Sequence, residues 1–334
     1  MKLAIVIVSY NGKRWLKATL MSCTKFAKKV PVYVVYNAST YGSADYIAQE
    51  FSDAHLIREI KNTGFAGGNN IGIQAALAAG AEAIFLLNQD AELTNDCLEK
   101  LSKYLLNNPR VAAVQPAIFL PDGRVNSLGN GYHFLGFGFA GGNGLTLKQA
   151  YQQVPWARAG TEPPYVSGAA VLLRASALRQ VGLFDEELFL YHEDLELSLR
   201  LRLAEWSLAV VDTARVIHHY DSKRSNQQFY FMERNRWLVW LLYFKLPTLI
   251  ILSVIWLPME VLLLLLGFVG GWLPAKIKSY AYFFTFRPWL YIRERRRVLQ
   301  KLRTCTDRHL LSYATARIQF QTTNSWLVEY VLNP

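Results

Sequence analysis

The chain opens with the stretch Leu3-Ala-Ile-Val-Ile-Val-Ser-Tyr-Asn-Gly12, an aliphatic run that ends in a polar turn. An unbroken aliphatic run of this kind is typical of a parallel strand that is covered on both faces. The serine, asparagine and glycine at its end are typical of the turn that follows such a strand. The run does not have the pattern of a signal peptide, so we expect it to be the first strand of a fold.

Strand and helix patterns then alternate along the first part of the chain. Residues 13–26 have a helical pattern, and residues 30–36, 57–60 and 83–87 are strand-like. A turn-rich segment at residues 37–43 leads into a further predicted helix. This alternation predicts an α/β fold on an open, mostly parallel sheet. In such sheets ligands bind beyond the carboxyl ends of the strands.

The later part of the same region supplies further strand candidates. Residues 111–120, 166–173 and 208–217 are strand-like, and the last of these runs ends on His218-His219. Residues 123–144 are rich in glycine, so we expect a flexible or acceptor-facing loop there. Small residues in the 166–173 strand would let a ligand approach its backbone closely.

A second decisive stretch is Gly182-Leu-Phe-Asp-Glu-Glu-Leu-Phe-Leu-Tyr-His-Glu-Asp-Leu-Glu-Leu-Ser-Leu-Arg-Leu-Arg202. Its leucines recur at helical spacing after Glu193 and Asp194, which predicts a helix with two acids in its first turn. Taken alone, such acids are more typical of a helix start that complements the macrodipole. The alternative interpretation is a general base at the mouth of a site.

Composition and charge separate two regions of the chain. A hydrophobic content of 52% excludes a disordered protein, and three widely spaced cysteines indicate a reducing compartment rather than a disulfide framework. The net charge of +11 is concentrated at residues 221–334, where 16 Lys/Arg and 6 Asp/Glu give +10. Because these basic residues flank very apolar segments, we expect an anionic membrane surface, and not nucleic acid, as their partner.

The C-terminal region has the pattern of a membrane-associating segment. Residues 246–273 are almost entirely apolar, but Pro258 and Glu260 interrupt them and both flanks are basic. We therefore expect two short helices in a re-entrant or in-plane hairpin, with a single span as the alternative. Residues 280–297 would form an interfacial helix with Trp289 and Tyr291 at headgroup level. The predicted division is an α/β domain at 1–245 and a membrane-associating helical region at 246–334.

Two polar segments could bind a nucleotide sugar. Asn88-Gln-Asp90 follows a strand, where a carboxylate can reach a divalent cation on two phosphates, although the tripeptide alone is more typical of a β-turn. Residues 61–72 combine glycines and asparagines ahead of a helical pattern at 75–80. We expect them to form a loop that exposes its backbone to a nucleotide, although they match neither a Walker A loop nor a GxGxxG fingerprint.

Taken together, these segments resemble the family 2, GT-A fold glycosyltransferases, in particular bacterial rhamnosyltransferases. The resemblance covers roughly residues 1–245 and follows the family order. Its motifs are Val8-Ser-Tyr-Asn-Gly12, Tyr36-Asn-Ala-Ser-Thr40, Asn62-Thr-Gly-Phe-Ala66 with Asn70 and Gly72, Asn88-Gln-Asp90, Ser167-Gly-Ala-Ala170, Gly182-Leu-Phe-Asp-Glu186, Glu193-Asp194, His218 and Arg234-Asn-Arg236.

The resemblance implies an inverting, metal-dependent transfer of rhamnose or a similar sugar from a dTDP- or UDP-sugar. Asp90 would bind Mg²⁺ or Mn²⁺, with Asn88 in place of the first Asp of the family's DxD motif. His218 or His219 would match the family's late metal-binding histidine, although a lone histidine at a strand end is more often structural. Asp194, next to Glu193, would deprotonate the acceptor hydroxyl.

The resemblance also implies the remaining site residues. Those expected at the donor are Ser9, Tyr10, Asn11, Tyr36, Asn62, Gly67, Asn70 and Asn88. Those expected at the acceptor are Gly168, His192 and Arg234. The sequence departs from the family at Tyr36 and Tyr41, where aspartate is usual; Tyr36 could stack on the base, without a carboxylate's hydrogen bond to a pyrimidine.

The expected acceptor is a lipid-linked glycan or polysaccharide at the cytoplasmic face of the inner membrane. A nucleotidyltransferase-like enzyme is a weaker alternative, because residues 9–12 lack the basic glycine-rich signature that such enzymes carry after their first strand. A degenerate, transferase-like scaffold is the non-enzymatic alternative. The sequence leaves open the sugar, the linkage and the oligomeric state, a homo-oligomer included.

Overall fold

The computed structural model describes residues 1–40, 49–157, 161–221 and 224–316. The strands are β1 (Leu3–Ser9), β2 (Val32–Asn37), β3 (His55–Glu59), β4 (Ala83–Leu87), β5 (Ala91–Leu93), β6 (Val111–Phe119), β7 (Val125–Ser127), β8 (Asn130–Tyr132), β9 (Gly138–Ala140), β10 (Ala170–Arg174) and β11 (Ser207–His218). Tyr41 and the helix predicted after residue 43 lie outside the described residues.

Helices cover the sheet and form the C-terminal region. They are α1 (Lys13–Phe26), α2 (Gly64–Ala78), α3 (Cys97–Asn107), α4 (Leu147–Gln153), α5 (Ala175–Val181), α6 (Glu193–Leu203), α7 (Asn226–Tyr243), α8 (Leu246–Val269), α9 (Leu273–Phe283), α10 (Arg287–Leu302) and α11 (Asp307–Leu311). Short 3₁₀ turns at Pro155–Ala157 and Glu186–Leu188 complete the elements within the described ranges.

The predicted α/β class is confirmed by the sheet. Its strand order is β3-β2-β1-β4-β10-β6-β11-β5, with β7 beside β6, while β8 and β9 form a separate pair. Strands β1 to β4 are parallel neighbours, and β6 and β11 are also parallel. Strand β10 runs antiparallel to both β4 and β6, so the second half of the sheet is mixed.

This topology brings the polar strand ends to one edge. The carboxyl ends of β1, β2 and β4 meet there because the strands are parallel. Strand β10 runs the other way, so the residues before it reach the same edge, where the amide of Asn88 donates to the carbonyl of Ala169 at 2.9 Å. The carboxyl end of β11 arrives at this edge too, because β6 and β11 run in the direction of β4.

Alternating side chains of β1 build two separate cores. Ile5 and Ile7 are buried with residues of α1 and α3, whereas Ala4 and Val6 are buried with residues of α2 and α5. Since successive side chains of a strand point to opposite faces, one aliphatic run can serve both layers. The expectation that helices cover both faces of the first strand is therefore confirmed.

The predicted nucleotide-cradling loop at residues 61–72 is wrong, because α2 already begins at Gly64. A Cβ atom at Gly68 would lie 2.7 Å from Cγ1 of Val8, and one at Gly72 would lie 2.4 Å from Cγ1 of Val6. These glycines let α2 pack closely on β1. The glycine-rich pattern therefore reports helix–strand packing and not an exposed backbone.

Residues 123–144 were predicted to be a flexible or acceptor-facing loop, and the first of these alternatives is wrong, whereas Asn126, Asn130 and Phe139 of this segment do line the cavity described below. Strands β7, β8 and β9 lie in this segment, and most of its side chains are buried. Here too glycines allow close packing: a Cβ atom at Gly131 would lie 2.4 Å from the indole of Trp156 and 2.5 Å from the ring of Phe139.

The C-terminal region differs from the sequence expectation in two ways. Residues 246–269 form the single helix α8, with Pro258 inside it, so the preferred pair of short helices is wrong. Within the described ranges, α8 alone has the length and composition to cross a bilayer, which is weak support for a span. Glu260 is tolerated within α8 because its carboxylate points inward, to Arg236 and Lys276.

The single interfacial helix predicted at residues 280–297 is replaced by α9 and α10, which are separated at residues 284–286. Trp289 is 48% exposed, but the hydroxyl of Tyr291 donates to Oδ2 of Asp185 in the α/β domain. Tyr291 therefore does not lie at an exposed headgroup position. Leu299 of α10 is buried in one cluster with Leu195 of α6, so the C-terminal helices pack directly on the α/β domain.

Candidate active site

A cavity of about 650 Å³ opens at the sheet edge where the polar strand ends meet. It brings together nine of the sixteen residues that the sequence assigns to the site. These nine are Tyr10, Asn62, Asn88, Asp90, Gly168, His192, Glu193, Asp194 and His218.

The segment that carries Asp90 is anchored through its middle residue. The amide of Tyr10 donates to Oε1 of Gln89 at 2.9 Å, and Nε2 of Gln89 donates to the carbonyl of Tyr10 at 3.0 Å. A Cβ atom at Gly12 would lie 1.9 Å from that same Oε1, so glycine leaves room for the amide. Gln89 thus locks this segment to the first strand's turn, while Asn88 and Asp90 line the cavity.

His218 and His219 have different environments, and His218 is the one that lines the cavity. Nε2 of His218 lies 3.3 Å from Oδ1 of Asp90, and Nδ1 of His218 lies 2.9 Å from Oδ1 of Asn126. His219 instead bonds to Oε1 of Glu92 at 2.6 Å. Its ring stacks on Trp15 with centroids 4.3 Å apart, so both Nε2 and the ring face of His219 already have partners.

Asp194 lies in the first turn of α6 and faces the cavity. Its Oδ2 accepts the amide of Gly168 at 3.1 Å, and its Oδ1 accepts the amide of Leu195 at 2.8 Å. Burial raises the pKa of this carboxyl to about 6, although the two amides favour its ionised form. At neutral pH the carboxylate is therefore mostly ionised and still basic enough to accept a proton.

Glu193 differs sharply from its neighbour. Its side chain is buried at the cavity wall, and Oε2 has no hydrogen-bond partner within the described residues. Burial, together with the nearby charge of Asp194, raises the pKa of Glu193 well above its usual value. The pair therefore combines one carboxyl that ionises near neutrality with one that favours its protonated form.

His192 caps α6 with a left-handed backbone, at φ 67°. Its Nε2 lies 3.0 Å from the carbonyl of Gly136, which makes that nitrogen the donor. Burial lowers the pKa of His192 to about 4, so the ring is neutral at physiological pH. The ring therefore contributes shape and one fixed hydrogen bond, and no charge.

One wall of the cavity is ordered by Asn37. Its Nδ2 donates to Oδ1 of Asn62 at 3.1 Å and to the carbonyl of Gly64 at 3.0 Å. Oδ1 of Asn62 also accepts the amide of Gly64 at 2.9 Å. Asn62 is thereby held at the cavity wall, to which the exposed Tyr10 also belongs.

Seven of the predicted residues do not line the cavity. They are Ser9, Asn11, Tyr36, Gly67, Asn70, Arg234 and His219. Ser9 is fully buried, and Oδ1 of Asn11 accepts the amide of Thr40 at 3.0 Å. The hydroxyl of Tyr36 donates to the carbonyl of Ser39, so the predicted stacking of this residue on a base has no counterpart in the cavity wall.

Three more of these seven, Gly67, Asn70 and Arg234, pack against or bond to the surrounding backbone segments. Gly67 packs against Thr63, where a Cβ atom would lie 2.9 Å from the threonine Cβ. Asn70 forms a pair of 2.9 Å hydrogen bonds with the backbone of Phe184. Arg234 donates to the carbonyls of Glu187 and Leu188.

The amino terminus of α2 is not free to bind phosphate. The amides of Phe65 and Ala66 both donate to the carbonyl of Phe189, at 2.7 and 3.2 Å. This protein carbonyl occupies the position that a phosphate would need at the terminus, so the amides that begin α2 are not exposed to a nucleotide as predicted.

Sequence reasoning missed several residues of the cavity wall, Arg224 and Asn126 among them. Nη1 of Arg224 donates to the hydroxyl of Tyr191 at 2.8 Å, and its Nη2 donates to the hydroxyl of Tyr220. The position of Arg224, just beyond the carboxyl end of β11, was the signal available in the sequence. For Asn126 the available signal was its position in the segment expected to be a flexible or acceptor-facing loop.

Known proteins share both sequence and fold with this chain. Residues 2–239 match the family described as "Glycosyltransferase like family 2". An N-acetylglucosaminyl-diphospho-decaprenol L-rhamnosyltransferase of Mycobacterium tuberculosis is 28% identical over 235 residues, 65% of this chain and 76% of that protein. A dTDP-rhamnosyl transferase of Shigella flexneri is 27% identical over 65% of this chain and 69% of its own length.

Two solved structures show the same fold at low identity. A mannosyltransferase of Pyrobaculum calidifontis, in complex with GDP-Man and Mn²⁺, has a TM-score of 0.53 at 15% identity and covers 90% of this chain and 85% of its own. GalNAc-T7 with UDP, GalNAc and Mn²⁺ has a TM-score of 0.57 at 16% identity, covering 74% of this chain and 48% of the longer one. Because the family match spans most of the chain and the fold agrees with it, this protein belongs to the glycosyltransferase-like family 2.

Proposed function

We propose that this protein transfers rhamnose or a similar sugar, with inversion, from a dTDP- or UDP-sugar to an acceptor hydroxyl. The observation that carries this proposal is the wall of one cavity, which holds the Asp194 carboxylate together with the Asp90–His218 pair. One group suits a proton acceptor, and the other suits a ligand for the cation of a diphosphate. The two rhamnosyltransferase relatives support rhamnose as the sugar.

Inversion requires a single displacement at the anomeric carbon. The acceptor oxygen forms its bond to this carbon while the bond from the carbon to the diphosphate oxygen breaks. The hydroxyl proton passes to the carboxylate of Asp194, which keeps lone pairs beyond the two that accept the amides of Gly168 and Leu195. These amides hold the carboxylate in place, so little reorganisation is needed when the proton moves.

The Asp90–His218 pair fits a divalent cation such as Mg²⁺ or Mn²⁺. Oδ1 of Asn126 is an acceptor, so Nδ1 of His218 carries the proton and Nε2 directs its lone pair at Asp90. Two acceptors 3.3 Å apart repel unless a cation or a proton lies between them. Within the described ranges no cluster of three metal-binding side chains occurs, so diphosphate oxygens would complete the coordination. A bound cation would neutralise charge on the leaving diphosphate.

The proposed acceptor is a lipid-linked glycan at the cytoplasmic face of the inner membrane. One face of α8 leaves Ile251, Val254 and Phe268 more than 70% exposed. The relative from Mycobacterium tuberculosis is named for a decaprenol-linked acceptor, which supports a membrane location for this chain as well. We take residues 246–334 as the region that associates with the anionic surface.

A panel of nucleotide sugars tests the proposal. Purified protein is incubated with Mn²⁺, a lipid-diphosphate glycan and dTDP-rhamnose, UDP-sugars or GDP-mannose, and the product and its anomeric configuration are determined by NMR. We expect transfer from a dTDP- or UDP-sugar with inversion. Retention would contradict the single displacement. If the protein bound a nucleotide sugar but neither hydrolysed it nor transferred its sugar to any acceptor tested, a scaffold protein would be favoured.

A further inference from the structure

The loop that precedes α6, the helix that carries Asp194, has an unusual backbone. Phe189, Tyr191 and His192 have φ values of 60°, 67° and 67°, in the left-handed region that side chains other than glycine rarely adopt. Such residues persist only where the surrounding structure determines their conformation. We name residues 188–192 the catalytic loop, because they end at the cap of α6, two positions before Asp194.

Asn235 of α7 holds this loop through its side-chain amide. Its Nδ2 lies 2.7 Å from the carbonyl of Leu188, 2.9 Å from that of Leu190 and 2.7 Å from that of Tyr191. Oδ1 of Asn235 in turn accepts Nε of Arg234 at 2.9 Å, which fixes the orientation of the amide. Asn235 is completely buried, so no water competes for these hydrogen bonds.

The C-terminal helices hold the segment just before the catalytic loop. The hydroxyl of Tyr291 donates to Oδ2 of Asp185 at 2.5 Å, and the hydroxyl of Tyr282 donates to Oε1 of Glu187 at 2.7 Å. Nη2 of Arg295 lies 3.4 Å from Oε1 of Glu196 in α6. Helices α9 and α10 therefore contact the residues just before the catalytic loop and the first turn of α6 just after it.

The catalytic loop also forms part of the cavity wall. Phe189, Leu190, Tyr191 and His192 all line it, and the carbonyl of Phe189 accepts the amides that begin α2. A Cβ atom at Gly64 would lie 2.4 Å from this carbonyl, so α2 and the loop are in close van der Waals contact. A shift of the loop would therefore displace the cap of α6, and with it the carboxylate of Asp194.

We propose that Asn235 is a positioning residue for the transfer reaction, which holds the strained catalytic loop so that Asp194 meets the acceptor hydroxyl. This inference rests on the proposed function. Tyr282 and Tyr291 of the C-terminal helices hold the residues just before this loop. These helices are accordingly part of the catalytic unit, and not only a means of attachment to the membrane.

The test compares Asn235→Asp with Asn108→Asp. Both changes keep the side-chain shape and remove an amide donor, but Nδ2 of Asn108 donates to the carbonyl of Tyr104, at the end of α3 and outside the catalytic loop. Asn235→Asp should lower kcat about 10²-fold, the effect of a small misplacement of reacting groups, while the Kd for the donor changes less than about twofold. Asn108→Asp should change neither.

Hydrogen exchange separates positioning from general destabilisation and does not depend on activity. In Asn235→Asp, the amides of residues 188–195 should exchange faster, while those of β1 and β4 keep their protection. Tyr291→Phe, which loses only the hydroxyl, should shift the same amides to a smaller extent. Equal exchange of residues 188–195 in Asn235→Asp and Asn108→Asp would overturn the proposal. If the unmodified protein transfers no sugar, the proposed function fails, and the exchange data still decide the role of Asn235 as a support of the loop.

Discussion

Nε2 of His218 lies 3.3 Å from Oδ1 of Asp90, and the adjacent His219 is turned away to Glu92. The two histidines are neighbours in sequence and alternate across the end of β11, so only one of them can face the cavity. This difference assigns the proposed metal-binding role to His218 and provides a matched control at the next residue.

His218→Ala should weaken Mn²⁺-dependent donor binding about 10- to 100-fold, because a ligand of the cation is lost. His219→Ala should change it less than about threefold, since that ring bonds to Glu92 and stacks on Trp15. Calorimetric titration of the donor, with and without Mn²⁺, measures both. Equal losses in the two variants would contradict the assignment.

Asp194→Asn should reduce kcat about 10²- to 10⁴-fold, the usual contribution of a positioned general base. Donor affinity should stay within about threefold, because Asn62 and Asp90, which are proposed to hold the donor and its cation, are unchanged. Glu193→Gln is the matched control. The pKa of Glu193 is raised by burial, so a neutral amide resembles its favoured form, and most activity should remain. A larger loss in Glu193→Gln than in Asp194→Asn would reverse the two roles.

Transfer should depend on pH with an acid limb near 6. Burial raises the pKa of Asp194 to about 6, so the carboxylate takes up a proton as pH falls through that value. The rate should then decrease about tenfold per pH unit, since only the ionised form accepts the hydroxyl proton. His192 cannot produce this limb, because its pKa is lowered to about 4. A kcat that is constant from pH 8 to pH 5 would argue against Asp194 as the base.

Glu260→Gln should destabilise the packing of α8 against α7 and α9. Glu260 and Glu233 together balance Arg236 and Lys276, all four being buried between α7, α8 and α9. Removing one acid leaves excess positive charge inside the protein, at a cost of about 3–5 kcal/mol in the free energy of unfolding.

Thermal unfolding of Glu260→Gln measures this cost, with the exposed Glu294→Gln as the control. The double variant Glu260→Gln/Lys276→Met should recover most of the stability, because Arg236 keeps its partner Glu233. A double variant that is no more stable than Glu260→Gln would show that charge balance is not the cause.

Ile251→Asp combined with Val254→Asp should release the protein from anionic vesicles. These side chains are 71% and 72% exposed on one face of α8, and each charged residue opposes burial in lipid. Leu106→Asp, on the exposed side of α3, is the control and should leave binding unchanged. Vesicle flotation measures the bound fraction. Unchanged flotation of the double variant would contradict membrane association through this face.

Local pattern was sufficient for much of the fold. The aliphatic run of β1, the helix that begins at Glu193 and the polar ends of β1, β2 and β4 were all predicted correctly, because each depends on a few neighbouring residues. The glycines at 64–72 were misinterpreted for the same reason. A glycine that exposes backbone and one that admits a packed helix look alike until the partner strand is known, and here the partners are Val6 and Val8.

The sequence by itself determined the α/β class, the family and the two polar segments that carry Asp90 and Asp194. Tertiary structure alone decided which histidine faces Asp90, which carboxyl of the Glu193–Asp194 pair ionises near neutral pH, and what holds the catalytic loop. The physical reason is that strands and helices follow local periodicity, whereas burial, pKa and hydrogen-bond partners depend on residues that are distant in the chain. Asn235 is an example: its partners at Leu188, Leu190 and Tyr191 meet it only after α7 has packed against the loop.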